Sequence, residues 1–170
     1  MKDETMGNQQ ATDVELGWLA GIIDGEGYLG FSHENRRKSR CVRTDMQIVN
    51  CDIQIIDRAK RILNKMGINP YLRERCHDKE TWKTNYILTV STFANLKMLF
   101  DSILDHLTGQ KQCKGRLMLR LINSRIGKTR GDKYTGDELS IVNEYFLNHY
   151  PAVKGASTTI RKDADSSLPA

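Results

Sequence analysis

The sequence lacks any closely spaced pair of cysteines. Its four cysteines stand at positions 41, 51, 76 and 113, and no secretory signal precedes them. This excludes the cysteine framework of small secreted domains and predicts free thiols in an intracellular, reducing compartment. A zinc site built on Cys76 and His77 is disfavoured, because adjacent residues are poor co-ligands and no second pair stands at finger spacing.

The sequence also lacks an apolar run long enough to cross a membrane, so we expect no membrane partner. Its 170 residues suffice for one domain with a core and are too few for two full-sized domains. The net charge of +5 is unevenly distributed. Residues 1–26 carry one lysine against six acids, whereas residues 109–134 carry eight basic residues against Asp132 alone. Such segregation favours a polyanionic partner.

A nucleotide-binding context is missing as well. Residues 25–30 match the pattern GxGxxG, but that fingerprint needs a strand before it and a helix after it. Here a helical pattern comes first and a strand pattern follows. No HRD or DFG element supports a kinase-type glycine loop. Both nucleotide-binding interpretations are therefore set aside.

The spacing of apolar residues predicts two helix-hairpin units in succession, followed by more helices. Helical spacing covers residues from Thr12 or Asp13 to 26, from Asn50 or Asp52 to 66, and then 93–107, 110–125 and 137–150. Alternation predicts strands over 28–33, 41–49, 70–75 and 82–90, with a charged turn over 34–39. The resulting fold class is α+β, with the order αββαββα, a four-stranded antiparallel sheet, helices on one face and extra C-terminal helices. We expect one domain over 12–150 and disordered ends over 1–11 and 151–170.

The first helix has two contrasting faces. An apolar arc of Leu16, Leu19, Ile22 and Ile23 requires a core, whereas Gly17, Gly21 and Gly25 form a stripe without side chains. Each internal glycine costs roughly 1 kcal/mol relative to alanine, so the stripe indicates close approach of a second helix. Asp24 and Glu26 follow at the C-terminal end, where the helix dipole disfavours negative charge. Acids in that position suggest a metal ion.

The segment from Leu19 to Gly27 reads LAGIIDGEG and resembles the signature of the LAGLIDADG homing endonucleases, departing from it at Ile22, Gly25 and Glu26. The resemblance covers about residues 12–125. It implies a saddle-shaped sheet and a homodimer of the single-motif branch, formed by crossing two signature helices at Gly17 and Gly21. It also implies Mg²⁺-dependent cleavage, or cleavage with another divalent cation such as Mn²⁺, at a long pseudo-palindromic double-stranded DNA site, leaving 3′ overhangs. The compartment would then be the cytoplasm or an organelle that carries the host intron.

The resemblance also assigns roles to single residues. Glu26 stands where the family has its catalytic, metal-binding acid, with Glu in place of the commoner Asp, and the backbone carbonyl of Gly25 is a further metal ligand. Asp24 lies beside the glycine stripe and is assigned to the helix pair. Lys111 matches the basic residue that assists catalysis, with phosphate contact or simple solvation as the alternative. Asn50 matches the water-positioning residue, with helix capping as the alternative.

The open face of the sheet is the expected DNA-reading surface, because a two-stranded ribbon fits the major groove. Alternation assigns to it Tyr28, Ser32, Glu34, Arg43, Asp45, Gln47, Arg73, Arg75, His77, Lys83, Asn85 and Thr89. Phosphate contacts are expected from the basic residues of the first turn, which are Arg36, Arg37, Lys38 and Arg40.

Two alternatives to a nuclease remain open. One is a non-cleaving relative, such as an RNA maturase that binds its host intron RNA or a DNA-binding regulator. The other is a structural RNA-binding protein.

Overall fold

The computed structural model describes residues 10–36, 39–76, 83–129 and 132–149. The helices are α1 (Asp13–Glu26), α2 (Ile53–Lys65), α3 (Phe93–Ile103), α4 (Gly109–Arg125) and α5 (Gly136–His149), with a 3₁₀ turn over Leu104–His106. The strands are β1 (Gly27–Arg36), β2 (Ser39–Asn50), β3 (Tyr71–Arg75) and β4 (Asn85–Val90). The predicted α+β class and element order are confirmed. None of the described helices is long and apolar enough to span a membrane.

Local capping explains where the helices begin and end. Thr12 caps α1 through a reciprocal capping box, in which its hydroxyl accepts from the Glu15 backbone N–H while the Glu15 carboxylate accepts from the Thr12 backbone N–H. Asp52 caps α2 by accepting from the backbone N–H of Gln54 at 2.9 Å. After α2 the chain reverses at Gly67, whose φ of 76° favours glycine.

The sheet has the strand order β1-β2-β4-β3, and all three pairings are antiparallel. The register places Leu29 opposite Met46 and Ile48 opposite Leu88, all four of which are buried. These residues share one face, because side chains alternate along a strand. They pack with the buried residues of the helices into a single core, which includes Leu19, Ile56, Leu63, Leu96, Phe100, Met118, Leu121 and Tyr145.

The N-terminal elements are joined to one another by polar contacts as well. Lys65, in the last turn of α2, forms an ion pair of 2.7 Å with Glu15 in the first turn of α1. The guanidinium of Arg58 lies 4.3 Å from the centre of the Trp18 ring, which favours a cation–π contact between the same two helices. These contacts fix α1 against α2 on the covered side of the sheet.

The structure corrects several predicted boundaries. The charged turn expected over 34–39 is wrong in extent, because β1 continues to Arg36 and β2 begins at Ser39, with Arg36 paired to Ser39. Strand pairing therefore extends almost to the tip of the hairpin. At the N-terminus, Ala11, which falls in the segment predicted to be disordered, packs against the core. Residues 1–9, 37–38 and 151–170 lie outside the described residues.

A buried ion pair joins α4 to α5. Arg125 is 5% exposed and Glu138 is fully buried, with 3.3 Å between their charged groups. The Glu138 carboxylate also accepts from the Lys128 ammonium at 2.8 Å and from the Thr135 backbone N–H at 2.8 Å. Burial acts to raise the pKa of Glu138, but these hydrogen bonds and the charges of Arg125 and Lys128 outweigh it and lower the pKa to about 2.

This pKa shift predicts how the protein responds to acid. A carboxyl whose pKa falls from 4.5 to about 2 on folding stabilises the folded state above pH 4.5, and this contribution is lost as the pH falls toward 2. We expect Glu138→Gln to lower the free energy of unfolding at pH 7 by about 3 kcal/mol, because it leaves Arg125 buried without its counter-ion. The variant should also lose less stability between pH 4.5 and pH 2 than the unmodified protein does.

Urea denaturation at several pH values measures both effects. Glu144→Gln is the matched control on the same helix, because the Arg120–Glu144 pair is about half exposed and should contribute less than about 1 kcal/mol. Equal losses in the two variants would contradict the stabilising role of the buried pair.

Candidate active site and nucleic-acid interface

Helix α1 buries its apolar residues and leaves its glycines bare. Leu19, Ala20 and Ile23 are buried against the core, whereas Gly17 and Gly21 are exposed. A side chain built at either glycine would meet no atom of the described residues within 4 Å. The glycines are therefore not needed for packing inside the protomer. An exposed backbone stripe of this kind is suited to close contact with another helix.

The two acids at the end of α1 have different surroundings. Glu26 is exposed and is the last residue of the helix. Asp24 is partly buried, and its carboxylate accepts from the Thr108 backbone N–H at 3.0 Å and from the Thr108 hydroxyl at 2.8 Å. Asp24 thus holds the chain just before α4, a contact within the protomer that the assignment to a helix pair did not anticipate. Glu26 is the acid that stays available at the surface.

Lys111 lies in the first turn of α4, on the same segment that Asp24 holds at Thr108. Burial and the positive charge of Lys114 lower the pKa of Lys111, and the negative charge of Asp24 partly opposes this shift. The structure therefore brings Lys111 into the electrostatic range of the acidic end of α1. A lysine with a lowered pKa is better suited to proton transfer than an ordinary surface lysine.

Asn50 is the last residue of β2, and its side-chain oxygen accepts from the backbone N–H of Asp52 at 2.8 Å. This contact is a local turn that leads into α2, whereas the cap of the helix itself is Asp52. Of the two residues predicted to begin this helix, Asp52 is therefore confirmed as the cap and Asn50 is not the cap. Its amide nitrogen is not used by this contact.

The open face of the sheet carries most of the predicted DNA-contacting residues. The register aligns Tyr28 with Gln47, Gln47 with Thr89, and Thr89 with Tyr71 across four strands. Ser32 pairs with Arg43, and Arg75 pairs with Asn85, on the same face. Of the predicted set, the exposed residues are Tyr28, Ser32, Arg43, Arg73, Arg75 and Lys83, and the half-buried ones are Gln47, Asn85 and Thr89.

Asp45 corrects one member of this set. It lies on the open face, yet it is only 5% exposed. Its carboxylate accepts from the Gln47 amide at 2.8 Å and lies 3.5 Å from the Arg43 guanidinium. Asp45 is therefore not available as an exposed DNA-contacting residue. It instead orients the side chains of Arg43 and Gln47, which are predicted to contact DNA.

A glycine in β1 lies beside this buried carboxylate. Gly30 stands directly opposite Asp45, and a side chain at position 30 would overlap the phenol of Tyr28. The ring of Tyr28 thus lies across the space that the glycine leaves beside Asp45. Alternation alone placed Asp45 on the open face, but it contained no information on how Tyr28 folds over that face.

Some predicted residues are described only in part. The backbones of Glu34, Arg36 and Arg40 belong to the paired strands of the β1–β2 hairpin, with Arg40 opposite Asn35. Their side chains lie outside the described part of the structure, as do the whole of Arg37, Lys38 and His77.

The donor atoms near Glu26 fit a hard divalent cation that takes its remaining ligands from water and from the substrate. No group of three or more His, Cys, Asp or Glu side chains that would form a complete metal cage occurs among the described residues. The exposed Glu26 carboxylate and the Gly25 carbonyl supply hard oxygen atoms only. Mg²⁺ suits such a set, because it commonly uses one or two carboxylates and completes its shell with water and phosphate oxygens.

Comparison with known proteins agrees with this architecture. A family model described as a LAGLIDADG-like domain matches residues 13–104, which is more than half of the chain. A comparison with curated proteins gave no match.

Among solved structures, the chain is similar to the homing endonuclease I-CvuI in complex with the I-CreI target in the presence of Mg, with 17% identity and a TM-score of 0.60 over 86% of this chain and 87% of that one. It is also similar to the homing endonuclease I-TnaI, with 22% identity and a TM-score of 0.57 over 81% of this chain and 88% of that one. The meganuclease I-SmaMI bound to uncleaveable DNA gives 14% identity and a TM-score of 0.59 over 80% of this chain and 45% of that one.

The family model begins at the start of α1 and includes the whole signature, the four-stranded sheet and α3. The chain belongs to the family of LAGLIDADG-like domains.

Proposed function

We propose that the protein is a site-specific endonuclease that cuts both strands of a long pseudo-palindromic DNA site, as in intron homing, and leaves 3′ overhangs. The observation that carries this proposal is the end of α1. An exposed carboxylate, Glu26, lies there next to a helix stripe that is free of side chains. One protomer thus presents an acid at the border of a surface suited to a second copy.

The bare stripe supports a homodimer. Two copies of α1 crossing at Gly17 and Gly21 make the same contact from both sides, as a two-fold axis requires. Each copy then brings its Glu26 toward that axis, so one acid serves each DNA strand. The chain spans 87% of I-CvuI but only 45% of I-SmaMI, which is consistent with one chain supplying half of a larger assembly.

The bound metal, Mg²⁺ or another divalent cation such as Mn²⁺, would supply a Lewis acid that activates water and stabilises the leaving oxygen. Glu26 and the Gly25 carbonyl would hold it against the scissile phosphate. Lys111 would stabilise negative charge or move a proton at that phosphate, and its lowered pKa favours the proton transfer. Asn50 would orient the attacking water with its amide nitrogen, while its oxygen holds the turn into α2.

The open sheet face would read the DNA. Arg43, Arg73 and Arg75 are exposed on it, and arginine pairs with the O6 and N7 atoms of guanine in the major groove. Gln47 and Asn85 supply amides that suit adenine. The basic residues near the hairpin tip, Arg36, Arg37, Lys38 and Arg40, are proposed to contact phosphates, which adds affinity without sequence information.

The second candidate is a non-cleaving binder of the same fold, such as an intron RNA maturase or a DNA-binding regulator. The observation that favours it is Glu26, which stands where the family usually has Asp. For either function we propose a reducing intracellular compartment, since Cys51, Cys76 and Cys113 are all exposed free thiols.

Replacement of Glu26 distinguishes the two functions. We expect Glu26→Gln to lower the rate of Mg²⁺-dependent cleavage at least about 100-fold, because a metal ion contributes several kcal/mol of transition-state stabilisation. DNA affinity in EDTA and thermal stability should change little, since Glu26 is exposed.

Cleavage of a duplex selected by the protein from randomised DNA provides the assay, with Mg²⁺ and then with EDTA. Glu144→Gln, an exposed carboxylate on α5, is the matched control and should cleave normally. Absence of metal-dependent cleavage by the unmodified protein would favour the non-cleaving binder.

The dimer is tested by filling the glycine stripe. Gly21→Leu should convert the protein to a monomer, because the new side chain keeps the two helices apart. The protomer itself should remain folded, since the side chain meets open space and helix propensity improves by roughly 1 kcal/mol. Sedimentation velocity at micromolar concentration measures the change.

Gly136→Leu is the control, because position 136 also faces open space but lies at the start of α5. A Gly21→Leu protein that remains dimeric would exclude the crossed-helix interface.

A further inference from the structure

The β1–β2 hairpin extends beyond the rest of the sheet. Pairing between β2 and β4 ends at Met46, which is opposite Val90, whereas β2 continues back to Ser39. The outer part of the hairpin is therefore a two-stranded arm that includes Ser32, Val42 and Arg43. A two-stranded ribbon is only marginally stable by itself and twists more than strands inside a sheet. Its direction needs support from elsewhere in the chain.

Tyr134 gives the arm that support. Its hydroxyl accepts from the Val42 backbone N–H at 3.4 Å and donates to the Val42 backbone C=O at 3.3 Å. Val42 lies four residues before Met46, the last β2 residue paired with β4, so β4 does not reach Val42 and this hydroxyl takes the place of a missing neighbouring strand. Both distances are at the long end of the range, as expected when one oxygen serves two groups.

Tyr134 is itself held by the buried ion pair. The Arg125 guanidinium lies 4.4 Å from the centre of the Tyr134 ring. That guanidinium also donates to the backbone carbonyls of Thr129 at 3.2 Å and Asp132 at 3.1 Å, and is paired with the fully buried Glu138. A continuous set of contacts therefore runs from Glu138 through Arg125 and Tyr134 to the backbone of the arm. Arg125, Tyr134 and Glu138 lie beyond residues 13–104, the part of the chain that matches the family model.

We propose that Tyr134 is a positioning residue that sets the direction of the β1–β2 arm and thereby the sequence specificity of DNA binding. The proposal rests on the proposed function, because it assumes that the open face of the sheet reads DNA. Arg43 immediately follows Val42 in β2 and is exposed on that face. A change in the angle of the arm would therefore displace Arg43 from its base without removing any DNA-contacting group.

Tyr134→Phe tests the role, with Tyr145→Phe as the matched control. Tyr145 also uses a buried hydroxyl to hold a strand, since it donates to the Leu29 carbonyl at 2.9 Å. Leu29, however, is opposite Met46, where β2 is still paired with β4 at Val90. Both variants should lose some thermal stability, but only Tyr134→Phe should release the arm.

Two measurements are made on the full chain. The first is amide hydrogen exchange at Val42, measured without DNA. The second is DNA affinity in the presence of Ca²⁺, measured for a duplex that the unmodified protein selects from randomised DNA and for a mixed-sequence duplex. We expect Tyr134→Phe to speed exchange at Val42 and to weaken binding to the selected duplex, each about three- to tenfold. Binding to the mixed-sequence duplex should not change, and Tyr145→Phe should leave both Val42 exchange and the affinity ratio as they are.

Unchanged exchange at Val42 would overturn the support of the arm, whatever the DNA results. Faster exchange with an equal loss of affinity for both duplexes would overturn the specificity role. An unmodified protein that selects no duplex would refute the proposed function itself, and the specificity role with it, while the exchange data would still show whether Tyr134 holds the arm.

Discussion

Helix α1 must pack into the core of the protomer on one side and keep its backbone uncovered on the other. The rest of the structure depends on this constraint. Leu19, Ala20 and Ile23 are anchored in the core of the protomer, while Gly17 and Gly21 keep the opposite backbone surface free. A helix with this many glycines is intrinsically weak. Its formation is supported by the capping box at Thr12 and by the ion pair and cation–π contact that hold it to α2. The free energy that stabilises α1 therefore comes from its buried side and from the contacts near its ends.

The two acids at its C-terminal end have different roles. Asp24 is used inside the protomer, where it holds Thr108 and with it the start of α4. This contact brings Lys111 near the acidic end of the helix and leaves Glu26 at the surface. The sheet and the C-terminal helices complete the arrangement. The sheet presents its polar face as one surface, and the Arg125–Glu138 pair, through Tyr134, supports the arm that extends from it.

The features that could be predicted from the sequence are those encoded by neighbouring residues. The alternation in β2, the helical spacing in α3 and the glycine after α2 each depend on local chemistry, and the corresponding elements are confirmed. The signature identified the family and the position of Glu26. The burial of Asp45, the use of Asp24 by Thr108 and the contact of Tyr134 with Val42 were not predictable in this way. Asp24 and Tyr134 each contact a residue more than 80 positions away in the sequence, and the Tyr28 ring lies over Gly30, which is opposite Asp45.

We propose that each of two copies contributes one acid, Glu26, to the cutting of one DNA strand. The test is a mixed dimer that contains one unmodified subunit and one Glu26→Gln subunit and is purified through two different affinity tags. The measurement is the product formed from a supercoiled plasmid that carries the selected site, in the presence of Mg²⁺. We expect the mixed dimer to produce nicked circles and no linear DNA. Linear DNA formed at the rate of the unmodified dimer, or no cutting of either strand, would contradict it.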